Sequence, residues 1–465
     1  MRHLGKTKAK GCIQFIWVAI IIVAGACDTT PAVMVPSVSV MTDTPAATDR
    51  PTDTSAATDR STDTPMATVT STDTPTDTPM ATVTFTDTPA VTGTAVATPV
   101  VSGTPAPFFP LGFMGPADEA LFAQIASAGF NVVYEFRCVQ EIDEAEDYLN
   151  QAQAVGLQVI QNMPDCRAYE SKDPLCDKFN ADIWSEAEWG EFISTLAIHD
   201  NLVAWYLPDE IDDYSAAANL YEWVHRHDPR GRPVFGNPGT YQRSIINLFP
   251  AFTDFLWATG YPDHREEPRA LVTHVMRLDA NACRGTDTRW GAILQFFDSV
   301  EFGSDGGYPT ARELRADSYQ AIVGGATGLW YFHYETGRNL PELLEAATVI
   351  ADEIIGSGGL DQVILSQDVP QAIKKTILSG PTQSPPVQDE VYDSIQMRQK
   401  EHNGTYLFAV NVASDSVVVE FGNLSAEAVA VEVLFEGRTI TVSDGSFQDT
   451  FAQDDVHIYR VITDI

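Results

Sequence analysis

Leu202-Val-Ala-Trp-Tyr-Leu-Pro-Asp-Glu-Ile211 reads as a buried strand that ends by delivering two adjacent carboxylates, Asp209 and Glu210. Pro-Asp-Glu also suits a turn and the cap of a following helix. A carboxyl group at the mouth of an apolar, aromatic strand end is what proton transfer to a sugar or similar polyol requires. Helix-like stretches flank this strand at residues 186–199 and 214–227, so it sits inside an alternation of strands and helices.

The alternation can be counted. Strands are expected at residues 109–114, 130–136, 157–163, 202–207, 233–237, 252–260, 290–297 and 328–334. Helices are expected at 118–128, 142–155, 186–199, 214–227, 311–323 and 340–355, with apolar positions three and four apart, as in Leu121, Ile125 and Ala128. Gly129, Gly156 and Gly325 stand where a helix must stop before the next strand. Eight such units in about 250 residues match a (β/α)8, or TIM, barrel over residues 108–360. An open doubly wound sheet would carry a Gly-rich phosphate turn after its first strand, and Gly112-Phe-Met-Gly115 is not one. Residues 361–465 lose helical periodicity and alternate apolar with polar, which predicts a small antiparallel β-sandwich.

In a barrel of this kind the βα loops form the functional face. The expected strand ends there are Glu135, Asp209 with Glu210, Asn237, Trp257 to Tyr261, Gln295, and Trp330 to Glu335 with His333 among them. Acids, amides and rings together suit carbohydrate, because ring faces stack on pyranoses while carboxylates and amides take hydroxyls. Trp257, Tyr261 and Trp330 are expected at the mouth, and Trp205, Phe296 and Phe332 in the core.

The amino terminus places Arg2, Lys6, Lys8 and Lys10 before an apolar stretch from Cys12 to Ala26, too short to span a membrane and fitting an export signal. Val23-Ala-Gly-Ala-Cys27 resembles the lipobox of bacterial lipoproteins, although alanine stands where leucine is commonest. The resemblance implies lipidation at Cys27 of a chain beginning there, residues 1–27 being the signal, and a membrane partner reached through the lipid on the extracytoplasmic side. Residues 28–107 are rich in Thr and Pro, repeat Thr-Asp-Thr-Pro and hold almost no large apolar residue, so a disordered, extended tether is expected. With 28 Lys and Arg against 64 Asp and Glu, a formal charge of −36, nucleic acid is not an expected partner. Cys138, Cys166, Cys176 and Cys283 allow three full disulfide pairings in an oxidising exterior, of which bonds joining Cys166 to Cys176 or to Cys138 are preferred. No cofactor is expected, and no CxxC pair or histidine cluster suggests zinc.

Trp205-Tyr-Leu-Pro-Asp-Glu210 is similar to the strand-4 motif of the retaining glycosidase clan with (β/α)8 barrels. Gln295-Phe-Phe, Tyr308 to Arg315 and Gly324 to Tyr331 are similar to barrels related to family 42 β-galactosidases. The resemblance implies Glu210 as general acid/base and Trp330 as a platform for a sugar. Two departures stand out: Asp209 where that motif has Asn, and Gln295 at the strand-7 position of the nucleophilic glutamate. An amide cannot form a glycosyl ester, so a second carboxylate is sought among Asp298, Glu301 and Glu335. The readings in play are thus a surface-tethered glycoside hydrolase, a non-catalytic carbohydrate-binding lipoprotein with a degenerate barrel, and, as the weakest, a metal-dependent hydrolase.

Overall fold

The computed structural model describes residues 108–115, 119–134, 142–163, 185–211, 213–262, 267–304, 306–370 and 372–464. The export signal with Cys27, the tether, Glu135, Cys138, Cys166 and Cys176 lie outside the described residues.

Eight parallel strands close into a barrel in chain order: β1 (Leu111–Met114), β2 (Val132–Tyr134), β3 (Gln158–Asn162), β4 (Leu202–Tyr206), β5 (Val234–Gly236), β6 (Phe255–Gly260), β7 (Arg289–Gln295) and β8 (Leu329–Phe332). β8 pairs back onto β1, with Trp330 opposite Gly112, so the sheet has no free edge. Around it run α1 (Phe122–Ser127), α2 (Ile142–Ala154), α3 (Glu186–Leu196), α4 (Tyr214–His227), α5 (Arg243–Ile246), α6 (Leu271–Ala282), α7 (Ala311–Val323), α8 (Tyr334–Gly337), α9 (Pro341–Ile354) and α10 (Leu360–Ile364). Capping boxes Ser185/Glu188 and Thr310/Glu313 fix the starts of α3 and α7, and Asp213 caps α4. Gly129, Gly156 and Gly325 all take positive φ at the turns expected of them.

Period-2 alternation divides each strand between two cores. On β6, Phe255 and Trp257 join the cluster inside the barrel, while Leu256 and Ala258 pack outward under the helices. Trp257 and Trp330 stack at 4.0 Å in the middle, and Tyr134 lies parallel to Trp330 at 5.0 Å. The bulk of Trp257 demands a bare neighbour: a Cβ on Gly291 of β7 would lie 2.5 Å from its ring.

The opposite, N-terminal end of the barrel is held by a buried ion pair. Arg232 Nη1 meets Asp228 Oδ1 at 2.9 Å, and Trp205 Nε1 donates to Asp228 Oδ2 at 2.9 Å. Arg232 also donates to the carbonyls of Ala197 and His199, so it ties the turn after α3 to the turn after α4. This network saturates both charges, the condition under which a buried pair is tolerated.

The carboxy-terminal region forms two antiparallel sheets from β9 (Lys374–Ser379), β10 (Ile395–Glu401), β11 (Thr405–Asn411), β12 (Val417–Gly422), β13 (Ala428–Val433), β14 (Arg438–Thr441), β15 (Phe447–Phe451) and β16 (Val456–Thr463). Their orders are β10-β11-β16-β13-β14 and β15-β12-β9. β11 explains how this region joins the barrel: Leu407 and Ala409 face the second sheet, while Phe408 and Val410 enter the barrel's outer core. Phe408 stacks on Tyr319 of α7, and Arg315 Nη1 donates to the Val456 carbonyl at 2.9 Å.

Several elements depart from the sequence reading, among them the short helices α5 and α8. α6 went unanticipated because Thr273, His274 and Asp279 are buried polar residues that blur its apolar face. α10 is helical where β structure was expected from 361 onward. β15 was missed because Gln448, Asp449 and Thr450 separate its two buried phenylalanines. Several strands are also shorter than expected; the 252–260 segment begins its strand only at Phe255, after the 3-10 turn Phe249–Ala251.

Candidate active site at the C-terminal end of the barrel

Inward alternation on β4 places Ala204 and Tyr206 in the barrel interior, and the chain then leaves the strand through Pro208 to Asp209 and Glu210. The Tyr206 hydroxyl donates to Asp209 Oδ1 at 2.7 Å. From the end of β5, Asn237 Nδ2 donates to the same oxygen at 3.1 Å and to Thr259 Oγ1 at 3.4 Å. Asn237 Oδ1 accepts the Gly239 N–H at 3.0 Å. Glu210 takes a left-handed φ of 53°, uncommon for a residue with a side chain. Gly239, with φ 59°, lies directly against it: a Cβ there would be 2.5 Å from Glu210 Cγ.

Burial, followed by the charge of Asp209, raises the Glu210 carboxyl to about 7. As a residue Glu210 is exposed and Asp209 half-buried, so the pair stands at an open strand end rather than in a sealed interior. Burial also raises Asp209, whereas its bonds from Tyr206, Asn237 and the Glu210 N–H act the other way. Tyr261, just beyond β6, is pushed well up by burial and by the charges of Asp209 and Glu210, which places it beside the pair.

From Tyr261 a run of rings leads across the mouth. It meets Phe297 edge-on at 5.1 Å and Phe332 face-on at 6.3 Å, and Phe332 packs on His333 at 4.7 Å. Here lie the other expected acids. His333 Nδ1 is 3.4 Å from Glu335 Oε2. Glu301 is raised by burial and by Asp298, and lowered by His333. Asp298 accepts the Val300 N–H at 3.0 Å as a helix cap.

The structure therefore gathers Asp209, Glu210, Asn237 and Tyr261 in one place, and Glu301, His333 and Glu335 in a second. It does not present Trp257 or Trp330 at the mouth. Both are fully buried and stacked on each other, because side chains on even layers of a small barrel fill its interior. Gln295 is buried too, its Nε2 donating to the Phe297 carbonyl, Ser299 Oγ and the Gly307 carbonyl at 3.2, 2.9 and 3.1 Å. That amide braces the loop after β7. Cys283 is a free, buried thiol raised to about 12 by burial and by Asp279, and so is not held in a disulfide. Among the described residues no group of three or more His, Cys, Asp or Glu could hold a metal ion. Sequence reading passed over Tyr206, Thr259 and Gly239; the position of Tyr206, three residues before Asp209 on an inward-facing register, was the available signal.

No family model matches the chain, and no curated protein matches it. Among solved structures it is similar to Abp, a GH27 β-L-arabinopyranosidase from Geobacillus stearothermophilus, at 12% identity and TM-score 0.49, covering 77% of this chain and 96% of that one. It is similar to α-galactosidase I from Mortierella vinacea at 10% identity and TM-score 0.48, covering 74% and 93%. A third similar structure is an α-amylase from Geobacillus thermoleovorans complexed with acarbose, at 10% identity and TM-score 0.46, covering 75% and 92%.

Proposed function

We propose that this chain is an exported, membrane-tethered glycoside hydrolase in which Glu210 gives its proton to the departing glycosidic oxygen. The observation that carries the reading is geometric: two adjacent carboxyls leave the C-terminal end of β4, Asp209 held by Tyr206 and Asn237 and Glu210 set against Gly239, an arrangement that favours a proton on Glu210 and pushes its carboxyl up to about 7. An acid with that value still holds a proton near neutrality, as protonation of a leaving group requires. As the carbon–oxygen bond breaks, the proton goes to the leaving oxygen and positive charge develops at the anomeric carbon. Tyr261 beside the pair offers a hydrogen bond to a sugar hydroxyl, while Asn237 is spent on holding Asp209 and the segment after β5. Water completes the reaction, with Glu301 or Glu335 as the base. A separation from Glu210 of about 6.5–9.5 Å suits that inverting course, against about 5–5.5 Å for a retaining pair. The kinship to family 42 β-galactosidases and the lipid anchor at Cys27 belong to the same proposal and rest on the sequence motifs alone.

Gln295 favours a second reading, a binding protein that keeps the barrel without turnover, since an amide stands at the strand-7 position and its nitrogen is engaged by the loop after β7. A glycan panel scored for both binding and product release separates the two. Hydrolysis by the wild type that Glu210→Gln loses supports the enzyme. Binding without product from either supports the binder, and product from both removes Glu210 as the acid.

A further inference from the structure

When two carboxyl groups share a site, the one that reaches more donors gives up its proton first. Asp209 is met by the Tyr206 hydroxyl, the Asn237 amide and the backbone N–H of Glu210. Each of these stabilises the anion. Glu210 has no such donor among the described residues; what acts on it is burial and the charge of its neighbour. Among those residues, the other titratable groups facing the pair are tyrosines. They are Tyr206 from β4 and Tyr261 from the end of β6; Tyr134 from β2 acts on Tyr206, and Tyr241 from the segment after β5 acts on Tyr261. Burial drives Tyr206 and Tyr261 well up, so both remain neutral donors at ordinary pH.

The backbone makes this arrangement a fixed one. Asn237 grips Asp209 with its amide nitrogen and the Gly239 N–H with its amide oxygen, so one side chain sets both the charged oxygen and the segment against which Glu210 rests. Glycine at 239 leaves the notch the Glu210 stem fills.

We propose that Asp209 is a positioning residue that acts through Glu210: clamped by Tyr206 and Asn237, its carboxylate takes the negative charge of the pair and leaves the proton on Glu210. This rests on Glu210 as the proton donor and deepens that reading, because it removes Asp209 from direct chemistry on the sugar. The paired acids are then one functional acid and its electrostatic support.

The test is a carbon-13 NMR titration of the full chain carrying carboxyl-labelled glutamate, with the Glu210 signal identified by its loss in Glu210→Gln and no glycan present. Wild-type Glu210 is expected to titrate at about 7. Asp209→Asn keeps an oxygen for Tyr206 and removes the charge, so the Glu210 midpoint should fall by about one unit or more. Tyr206→Phe withdraws the shortest donor, lets Asp209 hold its own proton to higher pH, and should lower the Glu210 midpoint as well; it carries the test if Asp209→Asn does not fold. A wild-type midpoint near the ordinary 4.5, or a midpoint unchanged by the variants, overturns the proposal. Glycan turnover plays no part in the readout. A chain that titrates as expected but cleaves no glycan therefore sinks the hydrolase reading and leaves the positioning role standing, while one that cleaves without the titration does the reverse.

Discussion

The Cβ that any residue other than glycine would place at position 239 falls 2.5 Å from Cγ of Glu210, so the segment after β5 and the acid at the end of β4 are packed to the limit that a bare backbone allows. Gly239→Ala must either move Glu210 or open the loop, and alanine at φ 59° adds a backbone cost of about 1–2 kcal/mol. The expected outcome is a loss of turnover far larger than a stability change of that size would cause. Comparing kcat/KM with the thermal midpoint checks it; equal loss of both would mean that the glycine serves folding alone.

As the proposed proton donor, Glu210 would act with its proton on, and its raised value would set where activity ends. As pH climbs through about 7 the proton is lost, so kcat/KM should decline roughly tenfold per unit above that point. The same shift has a stability sign. The folded value lies above 4.5, the folded chain holds the proton longer, and folding stability attributable to this group falls between about 4.5 and 7. Glu210→Gln should remove the alkaline limb along with about 10²–10⁴-fold of activity. A pH profile without an inflection near 7 would count against the assignment.

At the other end of the barrel, Asp228 and Arg232 do a purely structural job. Asp228 accepts from Trp205 Nε1 and Arg232, and Arg232 in turn holds the carbonyls of Leu202, Ala197 and His199, with both side chains removed from solvent. Asp228→Ala would leave Arg232 buried without its counter-charge, at a cost of about 3–5 kcal/mol. Denaturant unfolding should register that loss, while the pH at which the surviving folded protein loses activity stays put. A shift in that pH would mean the two ends of β4 are coupled.

The barrel was legible because its signal is repetitive: each apolar run, helix and glycine stop says the same thing again, and errors of two or three residues at an end, as at Phe252, do not change the count of strands. Helix α6 escaped notice because three of its buried positions are polar, a fact only tertiary packing can make compatible with a core face. At the site, Asp209, Glu210 and Asn237 could be read because carboxylates and amides at strand ends are few and conspicuous. Trp257 and Trp330 were misplaced by one layer. Sequence says that a tryptophan lies near a strand's end, but alternation and barrel radius decide whether it fills the interior or reaches the mouth. Gly239 carried no chemistry of its own to betray that it shapes the acid beside it.

Asp279 offers the sharpest stability test, because it lies on α6 with no solvent contact and neither carboxylate oxygen finds a hydrogen-bond partner among the described residues. Burial alone raises its carboxyl well above the ordinary 3.8, so the folded chain keeps it neutral. The unfolded chain loses that proton near 3.8. Between that pH and the folded value the native state binds more protons than the unfolded one, so this residue makes the protein less stable as pH rises. Asp279→Asn fills the same space without a titrating group and should flatten that slope. The variant is expected to match the wild type near pH 4 and to gain on it as pH rises by about 1.4 kcal/mol per unit, up to the folded value of Asp279. Thermal or urea unfolding at pH 4 and at pH 8 measures the difference. A gap that stays constant from pH 4 to pH 8 would show that the Asp279 carboxyl finds a charge-stabilising partner in the folded protein.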